Sequence, residues 1–341
     1  MERIVLGKTG LKIVRMGFGG IPIQRVDEER AVETVRHAVE SGVDYIDTAR
    51  AYTTSEERIG KALQLTDRSV VVSTKSQARS ADGMRADIET SLNLLQREYI
   101  ELYQCHFVKD EEDYQRILAK DGALEGLLRA RDEGLIGHIG ITSHSLDLLH
   151  RILDDDIFET IMTCFSFLEP AAGEKVIPKA AAKSVGIIAM KSFSGGALDN
   201  PELALKYVLS HPGVVIIPGV ETPELFDLNW RVFNGSYQLS PEEEDAIDEI
   251  RRRYDKMFCR RCDYCQPCSE EIPIQAILGM RFAIKRFGEA FLEKEWFREA
   301  VEKARLCAEC GECVDRCPYE LPIPELIKQN LEWLDKGRPE E

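Results

Sequence analysis

Eight of the ten cysteines of the 341-residue chain lie after residue 258, in two closely spaced groups. The later group reads CAECGECVDRCP, and the earlier group reads CRRCDYCQPC, which is one residue shorter before its last cysteine. A C-x2-C-x2-C-x3-C-P run binds [4Fe–4S] clusters, and its fourth cysteine commonly ligates the other cluster of a pair. The sequence therefore predicts two [4Fe–4S] clusters with these metal ligands: Cys259, Cys262, Cys265 and Cys317 for the first cluster, and Cys307, Cys310, Cys313 and Cys268 for the second.

A weak internal repeat supports this crossed ligation. The segment CSEEIPI, which begins at Cys268, matches CPYELPI, which begins at Cys317. Zinc is the alternative, because two sites of four cysteines also require eight thiolates. Zinc ribbons pair one C-x2-C motif with a distant one, so successive two-residue gaps favour iron and sulfur. A purely structural role for the clusters stays open.

A second set of residues could move a proton. Asp47 ends the strand-like stretch VDYID, Lys75 ends SVVVSTK, and His106 ends IELYQCH, while Tyr52 follows Asp47 in the segment DTARAYTTSEERIG. Reduction of a carbonyl requires hydride at carbon and a proton at oxygen, and an adjacent ammonium lowers the pKa of a tyrosine. We therefore predict a catalytic set in which Asp47 holds Lys75 charged beside Tyr52, and His106 hydrogen-bonds the carbonyl oxygen.

The elements that must position these residues alternate in type. After a short hairpin with GKTG at its turn, eight strand and helix units follow over roughly 240 residues, as a (β/α)8 TIM barrel requires. The doubly wound alternative lacks a G-x-G-x-x-G motif opening a helix. The predicted fold is α/β: a (β/α)8 TIM barrel at 1–240, a linking helix at 241–256, and a C-terminal α-helical iron–sulfur domain at 257–334.

Composition narrows the partners and the compartment. A formal charge of −16 argues against nucleic-acid binding, because phosphate binding requires positive surface. The chain has no apolar run of membrane-spanning length and no signal-peptide layout at its start, so we expect a cytoplasmic protein without membrane insertion. The basic run RRRYDKMFCRRC indicates either a counterweight to cluster charge or a docking patch for an acidic redox partner.

The barrel region resembles the aldo/keto reductase family in the segments GVDYIDTARAYTTSEERIGKAL, VVVSTK, YQCH and IGITSH. The resemblance implies that Tyr52 is the general acid and that a nicotinamide cofactor lies across the barrel mouth without a Rossmann domain. It implies that Ser143 holds the carboxamide. The cofactor-binding residues implied by the resemblance are Gly19, Ser143, Met190, Phe193, Gly195, Gly219, Glu221 and Asn229.

Two departures from the family pattern bear on the cofactor. Met190-Lys191 stands where family members place an aromatic ring against the nicotinamide. The segment GVETPELFDLN contains Glu221 and Glu224 but no basic residue for a 2′-phosphate. We therefore expect NAD(H) or NADP(H), with NAD(H) slightly favoured, and a flavin is a further alternative.

Together with the cysteine tail, the chain resembles the subgroup of aldo/keto reductases that carry a C-terminal ferredoxin-like domain. We expect an oxidoreductase that interconverts a small carbonyl compound and its alcohol, with the two clusters relaying electrons to or from a ferredoxin or another redox protein. The alternative is a ferredoxin-like electron carrier, or a flavin-dependent reductase, in which the barrel is mainly a docking or cofactor scaffold.

Overall fold

A computed structural model describes residues 1–198, 200–261 and 264–337. The chain divides into two compact units. The first unit comprises Met1–Ser194 and Asn200–Leu239, and the second comprises Gly195–Asp199 and Ser240–Glu341. The predicted boundaries at 240 and 256 stay a prediction.

The first unit is built on one parallel sheet. The strands are β1 Arg3–Val5, β2 Lys12–Val14, β3 Phe18–Gly19, β4 Tyr45–Asp47, β5 Val71–Ser76, β6 Ile100–Cys105, β7 Ile136–Thr142, β8 Thr160–Cys164, β9 Gly186–Met190 and β10 Val214–Ile216. Strands β1 and β2 form an antiparallel hairpin, and β3 to β10 pair in chain order as eight parallel strands. Parallel bridges from Met16 to Ile216 and from Gly19 to Gly219 join the first and last barrel strands, so the predicted barrel is confirmed.

Helices follow the barrel strands and cover the sheet. Their bounds are α1 Glu28–Ser41, α2 Ser55–Leu63, α3 Ala81–Leu95, α4 Glu111–Leu118, α5 Ala123–Asp132, α6 Leu146–Ile152, α7 Ala171–Lys175, α8 Ile177–Ala182, α9 Pro201–Leu209 and α10 Pro223–Asn234. Side-chain caps start several of them; Asp27, for example, accepts from the Arg30 amide at the start of α1. The apolar faces of these helices pack on the β-branched residues of the sheet.

The inside of the barrel changes from apolar to polar toward the mouth. Near the hairpin, a buried cluster that includes Leu6, Tyr45 and Leu102 fills the bottom. Because side chains alternate along a strand, Gln104 and then His106 follow Leu102 on the inward side of β6. Ionisable groups therefore collect at the carboxyl ends of the strands, as catalytic groups do in such barrels.

The second unit is helical within its described residues. Its helices are α11 Pro241–Tyr254, α12 Ile274–Leu278, α13 Met280–Phe287, α14 Glu295–Arg305, α15 Glu312–Asp315 and α16 Ile323–Asp335. Ser240 and Glu243 form a capping box at the start of α11. Helices α12, α14 and α16 pack around a separate core that contains Ile277, Phe297 and Ile327.

The internal repeat is visible in the backbone of this unit. The Glu271 amide donates to the Cys268 carbonyl at 2.9 Å, and the Glu320 amide donates to the Cys317 carbonyl at 3.0 Å. Glu271 and Glu320 both have a φ of +51°, and α12 and α16 begin directly after these turns. In the described ranges no helix is long and apolar enough to cross a bilayer.

Candidate functional site

A buried ion pair lies at the mouth of the barrel. Lys75 Nζ lies 2.5 Å from Asp47 Oδ2 and donates to the Thr48 carbonyl oxygen at 2.6 Å. Lys75 and Asp47 are 1% and 3% exposed, so neither charge is screened by water. Burial opposes the charge on Lys75, but the Asp47 carboxylate outweighs it and raises the pKa of Lys75, which therefore stays an ammonium.

Two neighbouring strands hold the other oxygen of Asp47. Ser73 Oγ donates to Asp47 Oδ1 at 3.1 Å, and Gln104 Nε2 donates to the same oxygen at 3.3 Å and to Ser73 Oγ at 2.8 Å. Burial raises the pKa of Asp47, while Lys75, Ser73 and Gln104 favour the carboxylate and oppose that rise. Sequence analysis did not single out Ser73 and Gln104, although both stand two residues before a predicted catalytic residue on an inward-facing strand position.

Tyr52 and His106 lie beside this ion pair. Lys75 Nζ is 5.0 Å from the centre of the Tyr52 ring, and the Tyr52 side chain is a further hydrogen-bond partner of Lys75. The rings of Tyr52 and His106 meet edge to face at 5.8 Å. The structure thus brings Asp47, Tyr52, Lys75 and His106 together at one mouth, and their catalytic roles stay a prediction.

His106 is a neutral group at physiological pH. Burial lowers the pKa of His106 to about 3, and the positive charges of Lys75 and Arg79 act in the same direction. Within the described residues, His106 Nδ1 is buried and has no hydrogen-bond partner. A buried ring nitrogen without a partner is costly, so the site fits a bound molecule that offers a hydrogen bond there.

A second buried carboxylate holds the loop that carries Tyr52. Glu56 is 1% exposed and accepts hydrogen bonds from Thr74 Oγ1 at 2.6 Å and from Ser91 Oγ at 2.8 Å. Arg50, which lies between Asp47 and Tyr52 in the chain, forms an ion pair with Glu56. The Arg50 amide also donates to the Lys75 carbonyl at 3.0 Å. Sequence analysis missed this network, and its signal was Glu56 in the quoted segment SEERIG.

The residues that the resemblance assigned to the nicotinamide end lie at neighbouring strand ends. Ser143 is fully buried after β7, where its hydroxyl donates to the Val108 carbonyl at 2.7 Å and accepts from the Ser145 amide at 3.0 Å. Met190 ends β9, and Phe193 packs against the barrel core. Gly195 falls in the second unit. After Met190, Ser192 Oγ is buried without a hydrogen-bond partner among the described residues, which fits a polar ligand at this strand end.

The two glycines assigned to the cofactor approach each other closely. A Cβ on Gly19 would lie 2.6 Å from the Ile217 carbonyl oxygen, and one on Gly219 would lie 2.7 Å from Pro22 Cγ. Gly19 and Gly219 therefore permit the backbone contact that joins the first and last strands. Their role at a cofactor stays a prediction.

Two glutamates at the predicted adenosine end form ion pairs with arginines from outside the segment GVETPELFDLN. Glu221 lies 3.5 Å from Arg25, and Glu224 lies 2.6 Å from Arg30. Asn229 is buried on α10. Both arginines come from the region that follows β3, so inspection of GVETPELFDLN alone missed them.

In the second unit, the later cysteines line one cavity with a cysteine of the earlier group. We call it the second cavity, after the predicted second cluster. It is lined by Cys268, Cys307, Cys310 and Cys313 together with the apolar side chains of Ile272, Ile274 and Ile327. Burial raises the pKa of the Cys313 thiol, and the proximity of Cys307, Cys310 and Cys268 adds to the rise, although a backbone amide opposes it. A positively charged group between these cysteines would favour their thiolate forms.

A first cavity, named after the predicted first cluster, has an equivalent lining. Cys259, Cys265 and Cys317 line it with Leu321 and Ile323 of the repeat. Cys262, its fourth predicted ligand, lies outside the described residues. Cys268 thus lies with the later group and Cys317 with the earlier one, and their roles as cluster ligands stay a prediction.

Thiols of both cysteine groups line each of the two cavities. Among the described residues, no three His, Cys, Asp or Glu side chains form an arrangement that could hold a single metal ion. Zinc sites draw their thiolates to about 2.3 Å from one metal, whereas a four-iron cluster lies between its thiolates and keeps them further apart. The spacing of the cysteines, with successive gaps of two residues, favours iron–sulfur clusters over zinc.

Comparisons with protein families agree with the division of the chain. A sequence model of the Aldo/keto reductase family matches residues 14–202, and one described as a 4Fe-4S dicluster domain matches residues 258–321. The C-terminal region is therefore a dicluster domain, as predicted.

Relatives and solved structures agree for the barrel. The chain is 31% identical to L-galactose dehydrogenase of Arabidopsis thaliana, over 58% of this chain and 67% of that protein. It is 28% identical to an aldo-keto reductase of Bacillus subtilis, over 58% of this chain and 64% of that protein. An aldo-keto reductase from Bacillus halodurans superposes with a TM-score of 0.63 at 24% identity, covering 73% of this chain and 96% of that one. An aldo-keto reductase from Klebsiella pneumoniae, solved in complex with NADPH, superposes with a TM-score of 0.62 at 21% identity, covering 73% and 95%.

Proposed function

Because the chain belongs to the aldo/keto reductase family, we propose that it interconverts a small carbonyl compound and its alcohol, with a nicotinamide cofactor and with Tyr52 as the proton donor. The observation that carries this proposal is the contact of Tyr52 with a buried Lys75 that Asp47 keeps charged. A structural tyrosine would not require a desolvated ion pair beside its hydroxyl group.

The proposed reduction consumes one hydride and one proton. When bound, a nicotinamide would supply the hydride, with its two electrons, for the carbonyl carbon. Tyr52 transfers its phenolic proton to the carbonyl oxygen, and the Lys75 ammonium stabilises the phenolate that remains. His106, which is neutral, donates a hydrogen bond to the same oxygen and polarises the carbonyl.

This chain offers residues along the barrel mouth for the cofactor. His106 Nδ1 and Ser192 Oγ are buried without partners in the described part of the chain, at the ends of β6 and β9. We assign the carboxamide end to Ser143, Met190 and Phe193 and the adenosine end to the following residues: Gly19, Gly219, Glu221 and Asn229, with Gly195 in the loop between. The form we propose is NAD(H), because Glu221 and Glu224 already engage Arg25 and Arg30 and withdraw these cations from a 2′-phosphate.

We assign the exchange of single electrons with a ferredoxin or another redox protein to the dicluster domain. Each [4Fe–4S] cluster takes up one electron, so two clusters together hold the two electrons of one hydride. The crossed cysteine sets of the two cavities support the presence of two clusters in this domain. Cytoplasmic localisation stays a prediction.

The proposal is tested on anaerobically purified holoprotein. NADH and NADPH are titrated by quenching of protein fluorescence, and reduction of a panel of small aldehydes and ketones is followed by nicotinamide absorbance. Tyr52→Phe is expected to lower kcat by about 10²–10⁴-fold, the usual contribution of a general acid, with the dissociation constant of the cofactor unchanged. Tyr99→Phe, which alters a tyrosine that is 39% exposed, is the control and should keep full activity.

Two results would contradict the proposal. If neither nicotinamide binds and a flavin is extracted instead, the barrel serves a different cofactor. If Tyr52→Phe leaves all activity intact while the clusters exchange electrons with a carrier protein, the barrel is a docking scaffold for an electron carrier.

A further inference from the structure

The two cluster cavities take equivalent places in the repeat but differ in charge. Three carboxylates and one guanidinium line the second cavity: Glu270, Glu309, Glu312 and Arg316. Among its described lining residues, the first cavity has one charged side chain, that of Arg260, and no carboxylate. The two cavities therefore differ in their charged lining residues, whereas their predicted sets of four cysteines match.

The reversal of charge occurs at matching backbone positions. Arg261 and Glu309 both stand two residues after the first cysteine of their group, and both have a left-handed backbone, with φ values of +57° and +52°. At this one position the two loops share a backbone conformation and carry opposite charges. Tyr264 and Glu312 also correspond, each preceding the third cysteine of its group.

The two arginines differ in their contacts. Arg260 of the first cavity packs on an aromatic ring, whereas the charge of Arg316 in the second cavity is partly neutralised by a carboxylate. The Arg260 guanidinium lies 4.1 Å from the centre of the Tyr319 ring, close in the chain to Cys317. In the second cavity, Arg316 donates to the Pro267 carbonyl at 2.8 Å and pairs with Glu312 at 3.3 Å. Arg316 is thus engaged by one of the three carboxylates, and the other two remain as negative charge at this cavity.

Charge near a cluster sets how easily it is reduced. A [4Fe–4S] cluster with four thiolates passes from a net charge of −2 to −3 when it takes up one electron. Nearby cations favour the reduced form, and nearby carboxylates oppose it. Solvent has the opposite effect at the second cavity, because Cys310 is exposed and solvation stabilises the more negative, reduced cluster. The charge difference between the cavity linings, Arg260 against Glu270, Glu309 and Glu312, is the larger effect.

We propose that the first cluster has the higher reduction potential and that Arg260 and Glu312 are residues that set this order. The proposal rests on the cluster assignment made under the proposed function. With clusters bound, an electron that reduced the second cluster near the exposed Cys310 would pass to the first, so the second would return from 1+ to 2+ as the first went from 2+ to 1+. In the half-reduced protein the unpaired electron resides on the first cluster.

The order is tested by an EPR-monitored redox titration of the anaerobic holoprotein with dithionite. We expect two one-electron steps. Arg260→Gln should lower the potential of the upper step, and Glu312→Gln should raise that of the lower step, each by about threefold in the equilibrium constant, or about 28 mV at 59 mV per decade. Arg260→Lys keeps the charge and should shift neither step, and Glu249→Gln removes a carboxylate that lines neither cavity.

Several outcomes would overturn the proposal. It fails if Arg260→Gln moves the lower step, if Glu312→Gln moves the upper step, or if neither variant shifts either step while both retain eight irons per chain. Iron analysis separates these failures from that of the assignment itself, since zinc in place of iron overturns both. The titration requires no nicotinamide, so its result is independent of whether the barrel reduces carbonyls.

Discussion

The barrel mouth and the cluster region reach their order by different means. At the mouth, Asp47, Lys75 and their neighbours hold one another through hydrogen bonds within 3.3 Å, and the protein alone sets their geometry. In the cluster region, cysteines from two separate segments converge on cavities whose burial raises the pKa of Cys313. Preorganised charges suit a site that must stabilise a transition state, whereas thiolates that repel one another are ordered by the metal they bind.

The largest effect is expected in the cluster region, where order should be lost when iron is removed. Removal of iron by ferricyanide and a chelator should abolish amide protection in α12, α14 and α16, because the two cysteine segments lose their cross-links and the thiolates repel. The barrel should keep its protection in β5 and β6. Hydrogen exchange measured by mass spectrometry on the full chain, before and after iron removal, reports both regions in one sample.

Persistence of protection in α12, α14 and α16 without iron would contradict this view. The second unit would then be held by its own apolar core around Ile277 and Phe297. A parallel loss of protection in β5 and β6 would show that the barrel also depends on the clusters.

The next effect breaks the comparison on the barrel side. Lys75→Met leaves the Asp47 carboxylate buried without its cation, so we expect a loss of about 3–5 kcal/mol in the free energy of unfolding of the barrel. Carbonyl reduction should fall by about 10²–10⁴-fold, because nothing then stabilises the Tyr52 phenolate. Denaturant titration followed by circular dichroism and steady-state kinetics measure the two losses, and cluster absorbance should not change.

Lys61→Met is the matched control for that variant. Lys61 pairs with Glu28 and Glu57 on the surface, and exposed pairs of this kind contribute little to stability because water screens them. If Lys61→Met and Lys75→Met destabilise the protein equally, the buried pair has no special role.

The sequence predicted the parts of both sites that are local in the chain. Strand ends placed Asp47, Lys75 and His106, and spacing assigned the cysteines, because each follows from one short segment. The partners that hold these groups lie elsewhere in the chain. Gln104 on β6 reaches Asp47 on β4 across the intervening strand β5, and Arg25 and Arg30 reach the glutamates of a distant segment. Such contacts depend on how the barrel closes, which no single motif contains.

The smallest expected effect sharpens the comparison through pH. Burial lowers the pKa of His106 to about 3, so this side chain is neutral at every pH from about 5 to 8. The pH profile of kcat/KM should therefore lack an acid limb near 6.5, the ordinary value for histidine. His106→Gln should lower the rate without changing the shape of the profile over that range, and His37→Gln, on the surface of α1, should change neither.

The same lowered pKa has a consequence for stability, with a definite sign. Unfolding returns His106 to a pKa near 6.5, so the unfolded chain binds more protons between about pH 3 and 6.5. The contribution of His106 to stability is complete above pH 6.5 and decreases as the pH falls toward 3, by about 1.36 kcal/mol per unit. His106→Gln should remove this part of the acid sensitivity. An acid limb near pH 6.5 in the profile of kcat/KM that vanishes in His106→Gln would contradict this view. It would show that His106 is solvated and charged, and that water reaches the barrel mouth beside the Asp47–Lys75 ion pair.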